Sequence, residues 1–321
     1  MAVYTEVPDD ELARFIASYD IGGVLALKGI AEGVENSNFL LHTDAGYFIL
    51  TLYEKRVKAE DLPFFIDLME HLAERGITCP QPVRNRKGEA LGTLAGRPAA
   101  IVTFLEGVGV QSATVQHCAA VGGALAKLHL AGADFKGTRV NALTVHGWRP
   151  LYEAARERAD TVTPGLDTAT RAALEELEQN WPKHLPSGVI HADLFPDNVF
   201  FLRGELSGLI DFYFACTDFL AYDLAIGLNA WCFEKDGSFN LTKGRAMIAG
   251  YRAIRPLSTE EIEALPVLCR GAALRFMLTR LVDWLNVPPG ALVKPKDPLE
   301  YYKKLRFFQS SQKASDYGYE A

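Results

Sequence analysis

The segment 187–211 constrains the fold more than any other stretch of this chain. It contains a strand-like run (GVIH), a polar loop (ADLFPDN), a second apolar run (VFFL), a turn and a returning run that ends at Asp211. We expect the last two runs to form an antiparallel hairpin that begins at Asn198. Neighbouring strands lie about 4.8 Å apart, so both side chains could reach one metal ion. Asp193, in the preceding loop, would lie beside them.

Polar residues of this segment have the spacing H-x-D-x-x-x-x-N, with His191, Asp193 and Asn198 at the three fixed positions. The catalytic loop of kinases has this spacing, and kinases keep a magnesium-binding aspartate downstream, where this chain has Asp211. A single Asp or Asn in a loop most often only stabilises a turn. Four matching residue types at two matching spacings favour a phosphotransferase. Asp193 would be its base, and Asn198 and Asp211 its metal ligands.

Two histidines are candidates for chemistry. His191 has two interpretations: hydrogen-bonding support of the loop, which the pattern favours, and acid–base catalysis, because histidine titrates near neutral pH. His129 ends a predicted helix, on its apolar face. We expect His129 to be a buried structural histidine.

Composition indicates an ordinary globular enzyme. Hydrophobic residues make up 49% and charged residues 23% of the 321 residues, enough for one large core or two smaller ones. The net charge of −7 argues against a nucleic-acid partner, and no apolar run is long enough to span a membrane. There is no signal-peptide pattern, and the five cysteines are scattered without a C-x-x-C pair. We therefore expect a cytoplasmic protein; its oligomeric state is not indicated.

The first third of the chain is predicted to be β-rich and the rest mainly helical. Strands are predicted over 24–30, 38–43, 47–54, 89–94 and 97–105, and helices over 8–20, 61–75, 112–131, 149–160, 168–181, 241–254, 259–286 and 298–308. This pattern predicts an α+β, two-lobed protein-kinase-like fold. Residues 1–105 would form a small nucleotide-binding lobe, and residues 106–321 a larger catalytic and substrate lobe.

Two stretches of the predicted first lobe are candidates for binding ATP. The loop 31–37 could cover phosphates with its backbone N–H groups, as the glycine-rich loop of kinases does; a plain hairpin is the alternative. The residues concerned are Gly33, Asn36, Ser37 and Asn38. Phe104 and Leu105 precede the change to helical patterning, where exposed backbone groups could pair with adenine. A simple linker is the alternative there.

One position departs from the protein-kinase pattern. Protein kinases place a phosphate-binding lysine on their third strand, whereas this chain has Thr51 at the comparable place in FILT. A threonine hydroxyl can donate a hydrogen bond but carries no charge. Lys55, Arg56 and Lys58 follow downstream as possible replacements, although solvated surface charge is the interpretation that the pattern favours.

Several segments together resemble the aminoglycoside phosphotransferase and choline kinase-like superfamily: HADLFPDN, LIDF, VGGALAKLH and FLEG. EGVENSNFLL, YFILTLYEKR, DLPFFIDLMEHLAERGITCPQPV, NALTVHGWRPLYE and RGAALRFMLTRLVDW are similar to the bacterial homoserine kinases of that superfamily, over nearly the whole chain. The resemblance implies ATP- and Mg²⁺-dependent phosphorylation of L-homoserine to O-phospho-L-homoserine, a step of threonine biosynthesis. It also implies that Asp193 is the base, that Asn198 and Asp211 bind the metal, and that residues 33–38 cover the phosphates.

Two features favour a small alcohol over a protein as the substrate. Ala192 replaces the arginine of the H-R-D motif, and only eleven residues separate Asp211 from Asp223, which leaves little room for a peptide-docking loop. Choline, methylthioribose and an aminoglycoside stay open as other substrates. A catalytically silent nucleotide-binding scaffold is the alternative from a different functional class.

Homoserine carries a carboxylate and an ammonium group besides its hydroxyl. Arg275 and Arg280 are candidates for the carboxylate, because arginine binds carboxylates through two parallel hydrogen bonds. An ion pair between Arg280 and Asp283, on one face of the predicted helix, is the alternative. Asp223 is expected to stabilise the 191–198 loop, and Trp231 to be a core residue.

Overall fold

The computed structural model describes residues 5–30, 36–54, 58–287 and 295–320. It divides into two compact units, Met1–Gly107 with Ser207–Tyr213 and Val108–Leu206 with Phe214–Ala321. The predicted division is a single crossing between residues 105 and 106. In the structure the chain crosses near that point and then returns to the first unit for residues 207–213.

The first unit is built on a five-stranded antiparallel sheet, as its apolar runs predict. Its strands are β1 (Val24–Gly29), β2 (Ser37–Thr43), β3 (Gly46–Leu52), β4 (Leu91–Leu94) and β5 (Arg97–Thr103), in the order β1-β2-β3-β5-β4. A tight turn joins β2 to β3, and Thr43 pairs with Gly46 across it. Gly46 has φ 128°, a conformation that favours glycine.

Alternation along β2 explains how this sheet buries a core. Every second residue of the strand is buried, and Phe39 and Leu41 pack with Leu50 of β3 and Ile101 of β5. Two helices accompany the sheet: α1 (Asp9–Ile16) and α2 (Leu62–Glu74). α1 adds Leu12 and Ile16 to the same core, so the first unit is an α+β unit with its own apolar interior.

The second unit is mainly helical. Its helices are α3 (Val115–Ala131), α4 (Val145–Ala159), α5 (Leu166–Asn180), α6 (Leu220–Trp231), α7 (Leu241–Arg252), α8 (Thr259–Leu285) and α9 (Pro298–Ser310). α8 runs through Pro266 without a break. Within the described residues no helix is long and apolar enough to cross a bilayer.

The 191–198 loop lies between β6 and β7, the first two of four short strands. They are β6 (Ser187–Ile190), β7 (Val199–Leu202), β8 (Glu205–Leu209) and β9 (Cys216–Phe219); β6 pairs with β9, and β7 with β8. The hairpin prediction is correct for β7 and β8, but the returning strand ends at Leu209 and not at Asp211. Asp211 has φ 63°, a left-handed conformation that cannot continue a strand. β9 is missing from the prediction.

Close packing of α3 on α7 brings their buried polar residues together. A Cβ atom on Gly122 would lie 2.1 Å from the Met247 carbonyl oxygen, and one on Gly250 would lie 2.2 Å from the Ala119 carbonyl oxygen. Only glycine allows the two backbones to approach so closely. The consequence for the site is that His129 of α3 meets Tyr251 of α7.

Candidate active site

Asp223 of α6 holds the start of the 191–198 loop. Its carboxylate accepts the backbone N–H of His191 at 2.7 Å on Oδ2 and that of Ala192 at 2.9 Å on Oδ1. The expectation that Asp223 supports this loop agrees with these bonds. Burial by itself raises the pKa of Asp223, but bonds from His129 and His191 outweigh it and lower the pKa below its ordinary value. The carboxylate is fully buried and accepts hydrogen bonds on both of its oxygens.

A chain of buried polar groups continues from Asp223. His129 Nε2 lies 3.1 Å from Asp223 Oδ2, and His129 Nδ1 lies 2.8 Å from the Tyr251 hydroxyl. Arg255 donates to that hydroxyl and to Glu261, at 3.1 and 3.0 Å. Both ring nitrogens of His129 therefore have a hydrogen-bond partner, Asp223 at Nε2 and the Tyr251 hydroxyl at Nδ1. The expectation of a buried structural His129 is confirmed.

Ala192 is held on both sides. Its φ of 63° is uncommon for a residue with a side chain. Its N–H is bound by Asp223, and its carbonyl accepts a 2.6 Å hydrogen bond from Nη1 of Arg275. Arg275 is only 1% exposed, and its guanidinium lies 4.5 Å from the ring centre of Phe276. The structure thus places Arg275, a predicted substrate residue, directly beneath the loop.

Inside the loop, Asn198 is bound to Asp193. Asn198 Nδ2 donates to the Asp193 carbonyl at 2.8 Å and to Asp193 Oδ2 at 3.2 Å. The backbone N–H of Asp193 donates to Nδ1 of His191 at 3.3 Å, and His191 is fully buried. This geometry favours the supporting interpretation of His191. The amide nitrogen of Asn198 faces Asp193, so its amide oxygen points elsewhere.

The loop is also tied to the helical core through Trp231. Its indole N–H donates to the Leu194 carbonyl at 2.7 Å, and its side chain is 1% exposed. The expectation that Trp231 is a core residue is confirmed. Local sequence does not predict its hydrogen bond to the loop, because the two residues lie 37 positions apart.

The predicted ATP-binding residues Asn36, Ser37, Asn38 and Thr51 belong to a polar cluster at the beginning of β2 and the end of β3. Thr51 Oγ1 donates to Asn38 Oδ1 at 2.8 Å, and Ser37 Oγ donates to Glu54 at 2.7 Å. Asn36 accepts the backbone N–H of Glu54 at 3.3 Å. The cluster holds the beginning of β2 against the end of β3. Gly33, Lys55 and Arg56 lie outside the described residues.

The remaining predicted residues of the first unit have distinct surroundings. Phe104 follows β5 and is 41% exposed, with Leu105 next to it. Lys58 is exposed and 3.6 Å from Glu60, as expected for surface charge. Asp211 lies near Tyr53 and Tyr213. Burial, Tyr213 and the charge of Asp211 all raise the pKa of Tyr53.

Arg280 belongs to an ion-pair cluster with Glu300 and Lys304 that was not predicted from the sequence. Its Nη1 lies 2.6 Å from Oε2 of Glu300, and Lys304 Nζ lies 2.8 Å from Oε1 of the same carboxylate. The ring of Tyr301 lies under Arg280 and Lys304, and its centre is 6.4 Å from that of Phe195 in the loop. The four-residue spacing of Glu300 and Lys304 in PLEYYKKL predicts an ion pair on one face of a helix. Local sequence does not show that Arg280 of α8 also pairs with Glu300.

The donor types fit a hard cation. Among the described residues there is no group of three or more His, Cys, Asp or Glu side chains that could hold a metal. Asn198 carries an amide oxygen and Asp211 a carboxylate oxygen, and both are hard donors. Mg²⁺ in nucleotide enzymes takes one or two such protein ligands and completes its shell with phosphates and water.

Comparison with known proteins identifies the family. The phosphotransferase enzyme family (APH) matches residues 26–257. Homoserine kinase of Afipia carboxidovorans is 69% identical over 318 residues, covering 99% of this chain and 98% of the relative. That of Methylobacterium nodulans is 67% identical over 319 residues, covering 99% of both.

Solved structures show the same kinase-like α+β fold. Amicoumacin kinase hAmiN, in complex with AMP-PNP and Ca²⁺, has a TM-score of 0.71 at 16% identity and covers 95% of this chain and 94% of its own. Choline kinase from Cryptosporidium parvum has a TM-score of 0.67 at 14% identity, with 94% and 95% covered. The chain is a member of the APH phosphotransferase enzyme family.

Proposed function

We propose that this chain transfers the γ-phosphoryl group of ATP to the side-chain hydroxyl of L-homoserine, forming O-phospho-L-homoserine for threonine biosynthesis. The observation that carries the proposal is the 69% identity, over 99% of the chain, to a protein named homoserine kinase. The chemistry of the 191–198 loop supports it, because the residues that phosphoryl transfer needs are present and held in place.

Asp193 accepts the proton of the substrate hydroxyl in this proposal. Phosphoryl transfer depends mainly on positioning and on stabilising charge, so the direction of this carboxylate is the property that the protein must control. The Asn198 amide restrains it from one side at 3.2 Å. Asp223 and Arg275 hold the backbone just before it. We assign Asp223 and Arg275 to positioning of the loop, and His191 to its support.

Asn198 and Asp211 supply oxygen ligands to Mg²⁺, which would neutralise charge on the phosphates when bound. We assign Gly33, Asn36, Ser37, Asn38 and Thr51 to the phosphates of ATP, and Phe104 and Leu105 to its adenine. ATP is the donor that the kinase family implies. All five cysteines are free and buried, which suits the reducing cytoplasm, where we place the enzyme.

A panel of alcohols tests the proposal. ADP release is measured with Mg²⁺-ATP and, separately, L-homoserine, choline, methylthioribose and an aminoglycoside. We expect homoserine to have the highest kcat/KM, and phosphorus NMR of the product to show an O-phosphomonoester. Turnover of choline or methylthioribose with no turnover of homoserine would overturn the proposal. The two solved structures are 14–16% identical to this chain, so they indicate its fold and not which alcohol it phosphorylates.

A further inference from the structure

An excess of positive charge is buried between α8 and α9. The side chains of Arg280 and Lys304 are 10% and 7% exposed, and they share the single carboxylate of Glu300, which is 51% exposed. Both cations also lie over the ring of Tyr301, at 4.4 and 4.3 Å from its centre. Two buried cations with one exposed carboxylate leave a net charge of +1. Buried charge is costly unless it is paired, so this cluster is suited to a second anion.

The cations retain hydrogen-bond donors for that anion. Arg280 uses Nη1 for Glu300 and for the Asp297 carbonyl, at 2.6 and 3.3 Å. A guanidinium has five N–H groups, and the donors on Nε and Nη2 of Arg280 have no acceptor within the described residues. Lys304 donates to Glu300 and to the Asn229 carbonyl, and so has one of three donors left. The free edge of Arg280 is the arrangement that binds a carboxylate through two bonds.

The cluster is adjacent to the 191–198 loop. Tyr301 lies 6.4 Å from Phe195 of that loop and 5.2 Å from Phe276, ring centre to ring centre. Burial and the nearby negative charges of Glu300 and Asp193 raise the pKa of the Tyr301 hydroxyl. This hydroxyl is fully buried and has no hydrogen-bond partner in the described part of the chain. A buried donor without a partner is rare in native proteins and points to a ligand or a water molecule.

We propose that Arg280, Lys304 and Tyr301 form the subsite that binds the carboxylate of a hydroxy-amino-acid substrate, with its hydroxyl directed to Asp193. The inference rests on the proposed function and deepens it, because it states which end of homoserine the α8–α9 pair recognises. Glu300 pairs with Arg280 through one carboxylate oxygen and with Lys304 through the other, and its side chain is half exposed. An amino acid that lacks a hydroxyl, such as L-2-aminobutyrate, would also occupy this subsite.

The first test separates substrate binding from structure through KM and kcat. Replacing Arg280→Gln should raise the KM for L-homoserine by roughly 30- to 100-fold, the effect of losing a charge-assisted pair of bonds, with kcat and the KM for ATP changed less than about threefold. Arg270→Gln is the matched control, because Arg270 also lies on α8 and pairs with Glu176 at 3.1 Å. It should leave the KM for homoserine as it is.

Tyr301→Phe keeps the ring and removes only the unpartnered hydroxyl. It should raise the KM for homoserine by about tenfold without lowering the melting temperature, because no hydrogen bond within the described residues is lost. A purely structural Tyr301 would leave the KM unchanged. An unchanged KM in both Arg280→Gln and Tyr301→Phe overturns the subsite and leaves the proposed function standing.

Direct titration tests the carboxylate subsite separately from the proposed function. Isothermal titration calorimetry of L-2-aminobutyrate into the protein with AMP-PNP and Mg²⁺ should show binding to the wild type, and loss of binding to Arg280→Gln. If the wild type does not phosphorylate homoserine, the proposed function fails, while this titration still tests the subsite. Equal affinity of both proteins for aminobutyrate, or no affinity in either, overturns it.

Discussion

Arg275 donates a 2.6 Å hydrogen bond to the carbonyl oxygen of Ala192, 83 residues earlier in the chain. Ala192 is in a left-handed conformation, which costs a residue with a side chain about 1–2 kcal/mol. The bond to Arg275 and the bond from Ala192 to Asp223 together offset this cost. They fix the peptide that immediately precedes Asp193, so the direction of the Asp193 side chain depends on residues of α6 and α8.

Arg275→Met should slow turnover rather than weaken substrate binding. It leaves the Ala192 carbonyl without its donor, and a small displacement of Asp193 is expected to lower kcat by roughly 10- to 100-fold, with the KM for homoserine within about threefold. Arg275→Lys should recover part of kcat, because an ammonium group can also donate to the carbonyl. Steady-state kinetics distinguish this from direct contact with substrate, which would raise KM at constant kcat.

Asp193→Asn should lower kcat by about 10²- to 10⁴-fold, the usual contribution of a general base. The affinity for Mg²⁺-ATP should stay nearly constant, because the amide keeps the size of the carboxylate. Single-turnover phosphoryl transfer and nucleotide titration measure the two quantities separately. Near-normal turnover would remove Asp193 from the role of base.

Asp223→Asn should destabilise the protein despite its equal size. Oδ2 accepts from His191 N–H and from His129, and Oδ1 accepts from Ala192 N–H, so an amide NH₂ must face at least one donor. We expect a loss of about 2–4 kcal/mol in the free energy of unfolding and a lower kcat in the folded fraction. Denaturant titration with circular dichroism measures the first. Wild-type stability would show that the carboxylate is not required as a double acceptor.

Asp211→Ala tests the metal assignment. Loss of a carboxylate ligand should reduce kcat/KM for ATP by at least about 100-fold, because metal stabilisation of the phosphates is worth several kcal/mol. In the wild type, EDTA should abolish activity and excess Mg²⁺ should restore it. Unchanged activity of the variant at limiting Mg²⁺ would exclude Asp211 as a ligand.

The low pKa of Glu300 leads us to expect that the α8–α9 pair loses stability at acid pH. Burial alone would raise its pKa, but Lys304 and Arg280 lower it from 4.5 to about 2. A depressed pKa in the folded state means that the stabilisation is present above pH 4.5 and is lost as the pH falls towards 2. The melting temperature of the wild type should therefore fall faster over this range than that of Glu300→Gln. Parallel curves would contradict the ion pairs.

The spacing of His191, Asp193 and Asn198 could be recognised because it lies within eight consecutive residues. The same holds for the β2–β3 hairpin, where turn residues and alternation set the register. The end of the returning strand could not be predicted in this way. Asp211 has a left-handed backbone angle that residue type alone does not predict.

The roles of Arg275 and Arg280 could not be predicted, because they depend on partners that are far away in the sequence. Both were candidates for the substrate carboxylate, because residue type alone does not tell a buried support from a binding group. Arg275 lies under Ala192, whereas Arg280 faces Glu300 of a helix that begins 18 residues later. Tyr301 and Lys304 had no signal of function, since their apolar and charged pattern is that of any packed helix.

By itself, the sequence indicated an α+β kinase-like fold, membership of a phosphotransferase family and a loop whose residues we propose as base and oxygen ligands. These properties depend on residue types at short, constant spacings. Only the tertiary structure decided which buried groups hold that loop and where unsatisfied donors remain. Those contacts join residues tens of positions apart, and their strength comes from burial, which local sequence does not encode.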